Sequence, residues 1–214
     1  MKGNFFIFTF VILILVSCNN ASNIKTDETE NLNLEPANVL KSNFANEIVE
    51  ARKGKDLYFK TAEILELDKL NDFKGLQYYG PDSNFVFNAE IEFLKPEKVL
   101  FKTATEREPI YYTFCKLIFI HNQVKHELIA YSDKLENVTD LFIPFKDSTN
   151  YTLTYGGGRY LELKYRNEKS NFIIDFNYAF NPYCHYNHSF SCPLVPENNI
   201  LQTHIFAGER KLYE

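Results

Sequence analysis

The chain has 214 residues, with 28 acidic against 23 basic side chains and a formal net charge of -5. Its arginines are scattered, so no basic stripe is available to neutralise phosphates, and nucleic acid is excluded as a partner. Apolar residues at 45% and aromatics at 16% supply a core and exclude wholesale disorder, and the length suits one domain.

Lys2 precedes an apolar run, Phe5 to Val16, interrupted only by Thr9. The run is shorter than the about 20 residues a helix needs to span a bilayer, and it fits the hydrophobic region of a signal peptide over residues 1–17. It ends in Leu15-Val16-Ser17-Cys18, which resembles the bacterial lipobox. That resemblance implies cleavage before Cys18, a diacylglycerol thioether on its sulfur, and an N-acyl chain such as palmitate. The protein is then expected on an extracytoplasmic membrane face of the bacterial cell envelope, the outer membrane in preference to the inner. Residues 18–42 are polar, rich in Asn and without apolar periodicity, which predicts a flexible tether. Residues 19–42 would reach about 27 Å as a coil. The acidic cluster Asp27, Glu28 and Glu30 reads as a soluble spacer or a surface-export signal.

A single domain is expected over residues 43–214. Phe44, Ile48, Ala51 and Tyr58 share a stripe at helical spacing, predicting a helix over 43–60 with Ser42 or Asn43 as cap. After Gly80-Pro81-Asp82 the period changes to two: Phe85, Phe87, Ala89, Ile91 and Phe93 alternate with polar residues as in a half-buried strand. Further strands are predicted at 99–101, 110–120, 124–131, 141–145, 160–165, 172–178 and 200–206. His121-Asn122-Gln123 makes a tight connection, and Pro144, which has no N–H, predicts an edge or a bulge. The sum is a mostly β domain, an antiparallel barrel or sandwich with one N-terminal α-helix.

Unusual residues concentrate between 145 and 209. Gly156, Gly157 and Gly158 either expose N–H groups to an anion beside Arg159 or form a turn before strand 160–165. If strands 160–165 and 172–178 pair as a hairpin, Arg159 faces Asn177 and lies diagonal to Asp175, giving an Arg159–Asp175 pair. Glu209 is a further polar candidate for a ligand site with these residues. Cys184 and Cys192 flank His185 and His188. Outside the cytosol two such thiols favour a disulfide, with free thiols or a tetrahedral zinc site as alternatives; the spacing is not a known finger pattern, and no metal is assigned. Cys115, in an apolar strand, reads as a buried thiol.

Several of these motifs recur together. Phe73-Lys74-Gly75-Leu76-Gln77-Tyr78-Tyr79, Phe145-Lys146-Asp147-Ser148-Thr149, Thr154 to Leu161, Asp175-Phe176-Asn177, Asn181-Pro182-Tyr183-Cys184, Cys192-Pro193-Leu194 and Glu197-Asn198 resemble the bacterial family catalogued as domain of unknown function 1684. The resemblance covers roughly residues 47–212 and implies one conserved unit without an established activity.

No nucleophile–base–orienter set is recognisable, and no cofactor is expected. The expected function is therefore a non-catalytic domain, anchored to the membrane through Cys18, that binds a small ligand or an envelope protein. The site is expected where the loop 178–199 meets Gly156–Arg159. The alternative is a hydrolase or lyase using Asp175 with Arg159, helped by His185 or His188.

Overall fold

The computed structural model describes residues 36–66, 70–166 and 172–212. The signal peptide, Cys18 and the tether before residue 36 lie outside the described residues. Helix α1 runs from Pro36 to Thr61, earlier than the 43 expected, and opens on a proline, whose fixed φ suits a first helical turn. Ile48 and Phe59 are its buried apolar residues, while Arg52, Lys55 and Asp56 between them are half-buried. Ala51 and Tyr58, expected inside, face solvent. The inward face is thus set by charged heads that find partners and by the apolar stems beneath them, which hydrophobic periodicity does not register.

Seven strands follow: β1 (Val86–Phe93), β2 (Lys98–Leu100), β3 (Ile110–His121), β4 (Val124–Ser132), β5 (Asp140–Phe145), β6 (Arg159–Lys164) and β7 (Phe172–Asp175). All named pairings are antiparallel, in the order β6-β5-β4-β3-β1-β7, with β2 on β3. Asn122 and Gln123 both adopt positive φ, 51° and 63°, so the β3–β4 hairpin turns as expected. Beyond β7, Phe180 exchanges backbone hydrogen bonds with Tyr160 of β6 at 2.8 and 3.0 Å. That exchange brings the two ends of the sheet together and makes it a nearly closed, barrel-like sheet.

The inward rows pack tightly. Ala89, Cys115, Leu117, Phe119, Leu128, Leu141, Ile143, Leu161, Ile174 and Phe176 form one buried cluster with Leu201, Ile205 and Ala207 from the C-terminal segment. The interior is therefore a core rather than a ligand chamber. A second cluster, Phe59, Ile64, Leu65, Phe73, Leu76, Tyr186 and Leu212, ties the end of α1 to the long loop and the tail.

Three sequence expectations are corrected. Strands β6 and β7 do not pair as a hairpin: β6 lies on β5, and β7 lies on β1 with Asp175 opposite Val86. Pro144 sits inside the sheet, paired with Tyr160, where the β4–β5 ladder has narrowed to the single pair Tyr131–Phe142. Residues 200–206 form no regular strand, only an isolated bridge between Lys146 and Ile200.

Candidate functional site

Arg159 is fully buried and holds the C-terminal segment. Its Nη1 donates to the carbonyls of Ala207 at 2.5 Å and Glu209 at 3.2 Å, and its Nη2 to Ile205 at 3.0 Å. Carbonyls 205, 207 and 209, from a segment that turns at Gly208 (φ +75°), thus converge on one guanidinium. Its counter-charge is Asp147, not Asp175: Nη2 lies 2.5 Å from Asp147 Oδ2. Asp147 is held in turn by the N–H of Thr149 at 2.6 Å and its hydroxyl at 2.5 Å. With these partners Arg159 is buried away from solvent, and the expected Arg159–Asp175 pair does not form.

Asp175 instead caps a short 3-10 turn, accepting from the backbone and side-chain nitrogens of Asn177, both at 2.8 Å. Burial raises its carboxyl above the ordinary range. Asn177 itself grips Asp82 as a strand neighbour would: its Oδ1 accepts from the Asp82 N–H and its Nδ2 donates to the Asp82 carbonyl, each at 2.8 Å. Asn199 repeats the device at the gap beside Pro144. Its Oδ1 accepts from Ile129 N at 2.7 Å, and its Nδ2 donates to the carbonyls of Ile129 and Pro144 at 2.9 and 2.8 Å. Buried amides here replace ladder hydrogen bonds that the backbone does not make.

Glu209 is a buried charge apart from the Arg159–Asp147 pair. Its Oε2 accepts from Asn181 N at 2.8 Å and the Tyr186 hydroxyl at 2.6 Å, while Oε1 lies 2.5 Å from Lys55 Nζ and 3.5 Å from the Tyr78 hydroxyl. Burial, then the Glu209 charge, pushes both tyrosine hydroxyls up. Gly208, at φ +75°, makes this placement possible: a Cβ there would stand 2.6 and 2.7 Å from the carbonyl oxygens of Ala179 and Phe176. Above Glu209 lies a small niche of about 60 Å³, lined by Arg52, Lys55, Tyr78, Asn177 and Tyr178 among others. Arg52 stacks on Tyr78 at 4.4 Å and donates to the carbonyls of Tyr79 at 2.8 Å and Asn177 at 3.3 Å; desolvation lowers its pKa. Lys55 stands 4.3 Å above the Phe180 ring. The structure thus gathers Asn177 and Glu209 of the expected residues. It adds Arg52, Lys55 and Tyr78, whose signal in the sequence was the i, i+3 spacing of two cations on the stripe from Ile48 to Phe59.

The glycine run serves packing. Gly158 has φ +98°, and a Cβ would meet the Phe145 carbonyl at 2.7 Å; Cβ atoms at Gly156 and Gly157 would enter the rings of Tyr151 and Tyr155 at 2.5 and 2.3 Å. The long loop does meet this turn, as expected, with His185 4.6 Å from the Tyr155 ring. His185 Nε2 accepts from Leu212 N at 3.2 Å, and His188 is exposed. Among the described residues no group of three or more His, Cys, Asp or Glu stands close enough to hold a metal.

Cys184 and Cys192 come together as free thiols, with Cys184 N donating to Cys192 Sγ at 3.3 Å. The hydrogen bond between the thiols holds Cys192 down at about 7 and raises Cys184. Burial pushes the Cys115 thiol up to about 12. In reduced protein, iodoacetamide is expected to label Cys192 with a midpoint near pH 7, and Cys184→Ala to move that midpoint toward the ordinary thiol value of about 8.5. Peptide mass spectrometry across pH reads this; equal labelling of Cys192 and Cys115 contradicts it.

The site lies on a mostly antiparallel, nearly closed barrel whose helix and tail are locked by buried charges, and this is the class of protein the chain represents. The chain belongs to the family described as protein of unknown function DUF1684, whose model matches residues 71–210. It is similar to the solution NMR structure of an uncharacterised protein from Haloarcula marismortui, 31% identical, with a TM-score of 0.65. That match covers 80% of this chain and 96% of the other. No curated protein matches the chain.

Proposed function

We propose that this protein is a lipid-anchored, non-catalytic binding domain of the bacterial envelope, whose ligand or partner places a small accepting group, a carboxylate or carbonyl, at Lys55. The observation that carries the reading is the state of that lysine. It is about a quarter exposed at the floor of the niche, while its counter-charge Glu209 is fully buried. An ammonium has three donors; Glu209 takes one and the Phe180 ring faces the head at 4.3 Å, which leaves a donor for the niche. The niche has room for about two waters, enough for the end of a ligand rather than the whole of one. The buried Arg159 is committed to Asp147 and to backbone carbonyls, and the amides of Asn177 and Asn199 to backbone groups, which supports binding rather than turnover. In an oxidising envelope Cys184 and Cys192 close a disulfide and fix the loop beside this site.

Acetate tests the niche. Titrated into isotopically labelled mature protein, it is expected to move the amide resonances of Lys55, Asn177, Tyr178 and Glu209 and few others. The charge-balanced variant Lys55→Met with Glu209→Gln is expected to lose that response while keeping a dispersed spectrum. Shifts that persist in the variant, or none in the natural protein, sink the reading.

A further inference from the structure

A second cleft, independent of the Lys55 niche, lies on the outer face of the sheet. The cross-strand row Tyr131–Phe142–Glu162 runs over β4, β5 and β6, so these three side chains share a face. Phe101, just beyond β2, folds onto that face, with ring centroids 5.0 Å from Tyr131 and 5.9 Å from Phe142. Tyr111 of β3 lies 5.1 Å from Phe142 at 31°. Tyr160 packs edge-on against Phe142 at 4.8 Å, and beside these rings lies a cleft of about 280 Å³ with Tyr111, Tyr131 and Phe142 in its wall. Asp133, Asp140 and Glu162 stand at its edge against one lysine, Lys134. Asp140 is paired with Lys164, which leaves the two carboxylates of Asp133 and Glu162 against the single Lys134. Burial raises the pKa of the Tyr111 hydroxyl, and the charges of Asp133 and Glu162 add to that against a lowering by Arg107.

Aromatic faces carry negative potential at their centres and recognise compact, weakly hydrated cations, the more so when carboxylates supply the matching charge. An anion would meet repulsion here, and a neutral apolar group would gain only the area of the rings. We propose that this cleft is a binding site for a compact organic cation, an alkylated ammonium without its own phosphate. The volume accommodates a ligand of choline size.

The test uses mature protein held in a maltoside detergent, with choline as probe, followed by amide chemical shifts. Choline is expected to move Tyr111, Phe142 and Glu162. Its uncharged isostere 3,3-dimethylbutan-1-ol is expected to bind about tenfold more weakly, the loss a desolvated cation–π contact carries. Phosphocholine is expected to bind more weakly than choline, because Asp133 and Glu162 repel its phosphate. Both carboxylates are exposed, so Asp133→Asn with Glu162→Gln leaves the fold intact and is expected to weaken choline binding while sparing the acetate response at Lys55. Equal binding of the neutral isostere, tighter binding of phosphocholine, no response to choline, or a double variant that binds unchanged would each overturn the assignment.

Discussion

Arg159→Met lowers the stability of the domain by about 3–5 kcal/mol, the range expected when one member of a buried ion pair is removed and the other stays. Asp147 would be left as a buried carboxylate with only Thr149 as partner, because its Oδ2 faces Nη2 of the arginine. Carbonyls 205, 207 and 209 would lose their donors together, and methionine offers none. For a domain of this size the midpoint of thermal unfolding falls by roughly 10 °C. Lysine at 159 is a sharper probe than methionine: it keeps the charge for Asp147 but cannot fork across three carbonyls, so it recovers part of the loss. Urea unfolding of both variants measures the split. A methionine variant as stable as the natural protein would show that the tail is held by its apolar residues alone.

The same arginine shows where sequence reading stops. Strands β1 to β6 were legible because their alternation is local: Phe87, Ala89 and Ile91 face one side whatever lies beyond them. The turn at Asn122-Gln123 was legible for the same reason. The pairing of β6 and β7 was not, since two strands adjacent in sequence here lie at opposite ends of the strand order, and their own residues carry no mark of that closure. The partner of Arg159 followed the same error: it lies twelve residues upstream, in a loop whose polar residues look like ordinary turn chemistry. Residues 200–206 look like a strand because Leu201 and Ile205 are buried at even spacing, yet their backbone is held piecemeal: Leu201 N donates to the Lys146 carbonyl and Thr203 O accepts from Ser148 N, while the Ile205 carbonyl accepts from Arg159.

The candidate site was half-legible. Asn177 enters the expected site through a hairpin register that does not form, and Glu209 only as a further polar residue of the same stretch. Arg52 and Lys55 carry no signal of their own, because a cation on a helix usually marks the solvent side. Here Ile48, Arg52, Lys55 and Phe59 lie on one face, and the pattern becomes meaningful only once a buried carboxylate is known to sit opposite. Pro144 carried a true signal with the wrong reading. Its missing N–H marks an interruption of the ladder, and Asn199 fills it from 55 residues away.

Cys18→Ala is expected to abolish incorporation of labelled palmitate and to move the protein from the membrane to the soluble fraction. Under the proposed lipidation the mature N-terminus carries a diacylglycerol and a further acyl chain, each buried methylene contributing about 0.8 kcal/mol, where a single chain holds only marginally. Alanine has no sulfur to accept the diacylglycerol, so all of that is lost at once. Little else compensates. The formal net charge of -5 gives no attraction to anionic headgroups. Among the described residues no helix is long and apolar enough to cross a membrane. The uncleaved run from Phe5 to Val16 is too short to span one. The fold, whose described residues all follow Cys18, is untouched, so the released protein should keep the thermal midpoint of the natural one. Label retained on the alanine variant would place the acyl chain on another residue, and an unlabelled natural protein would remove the anchor from the proposed function altogether.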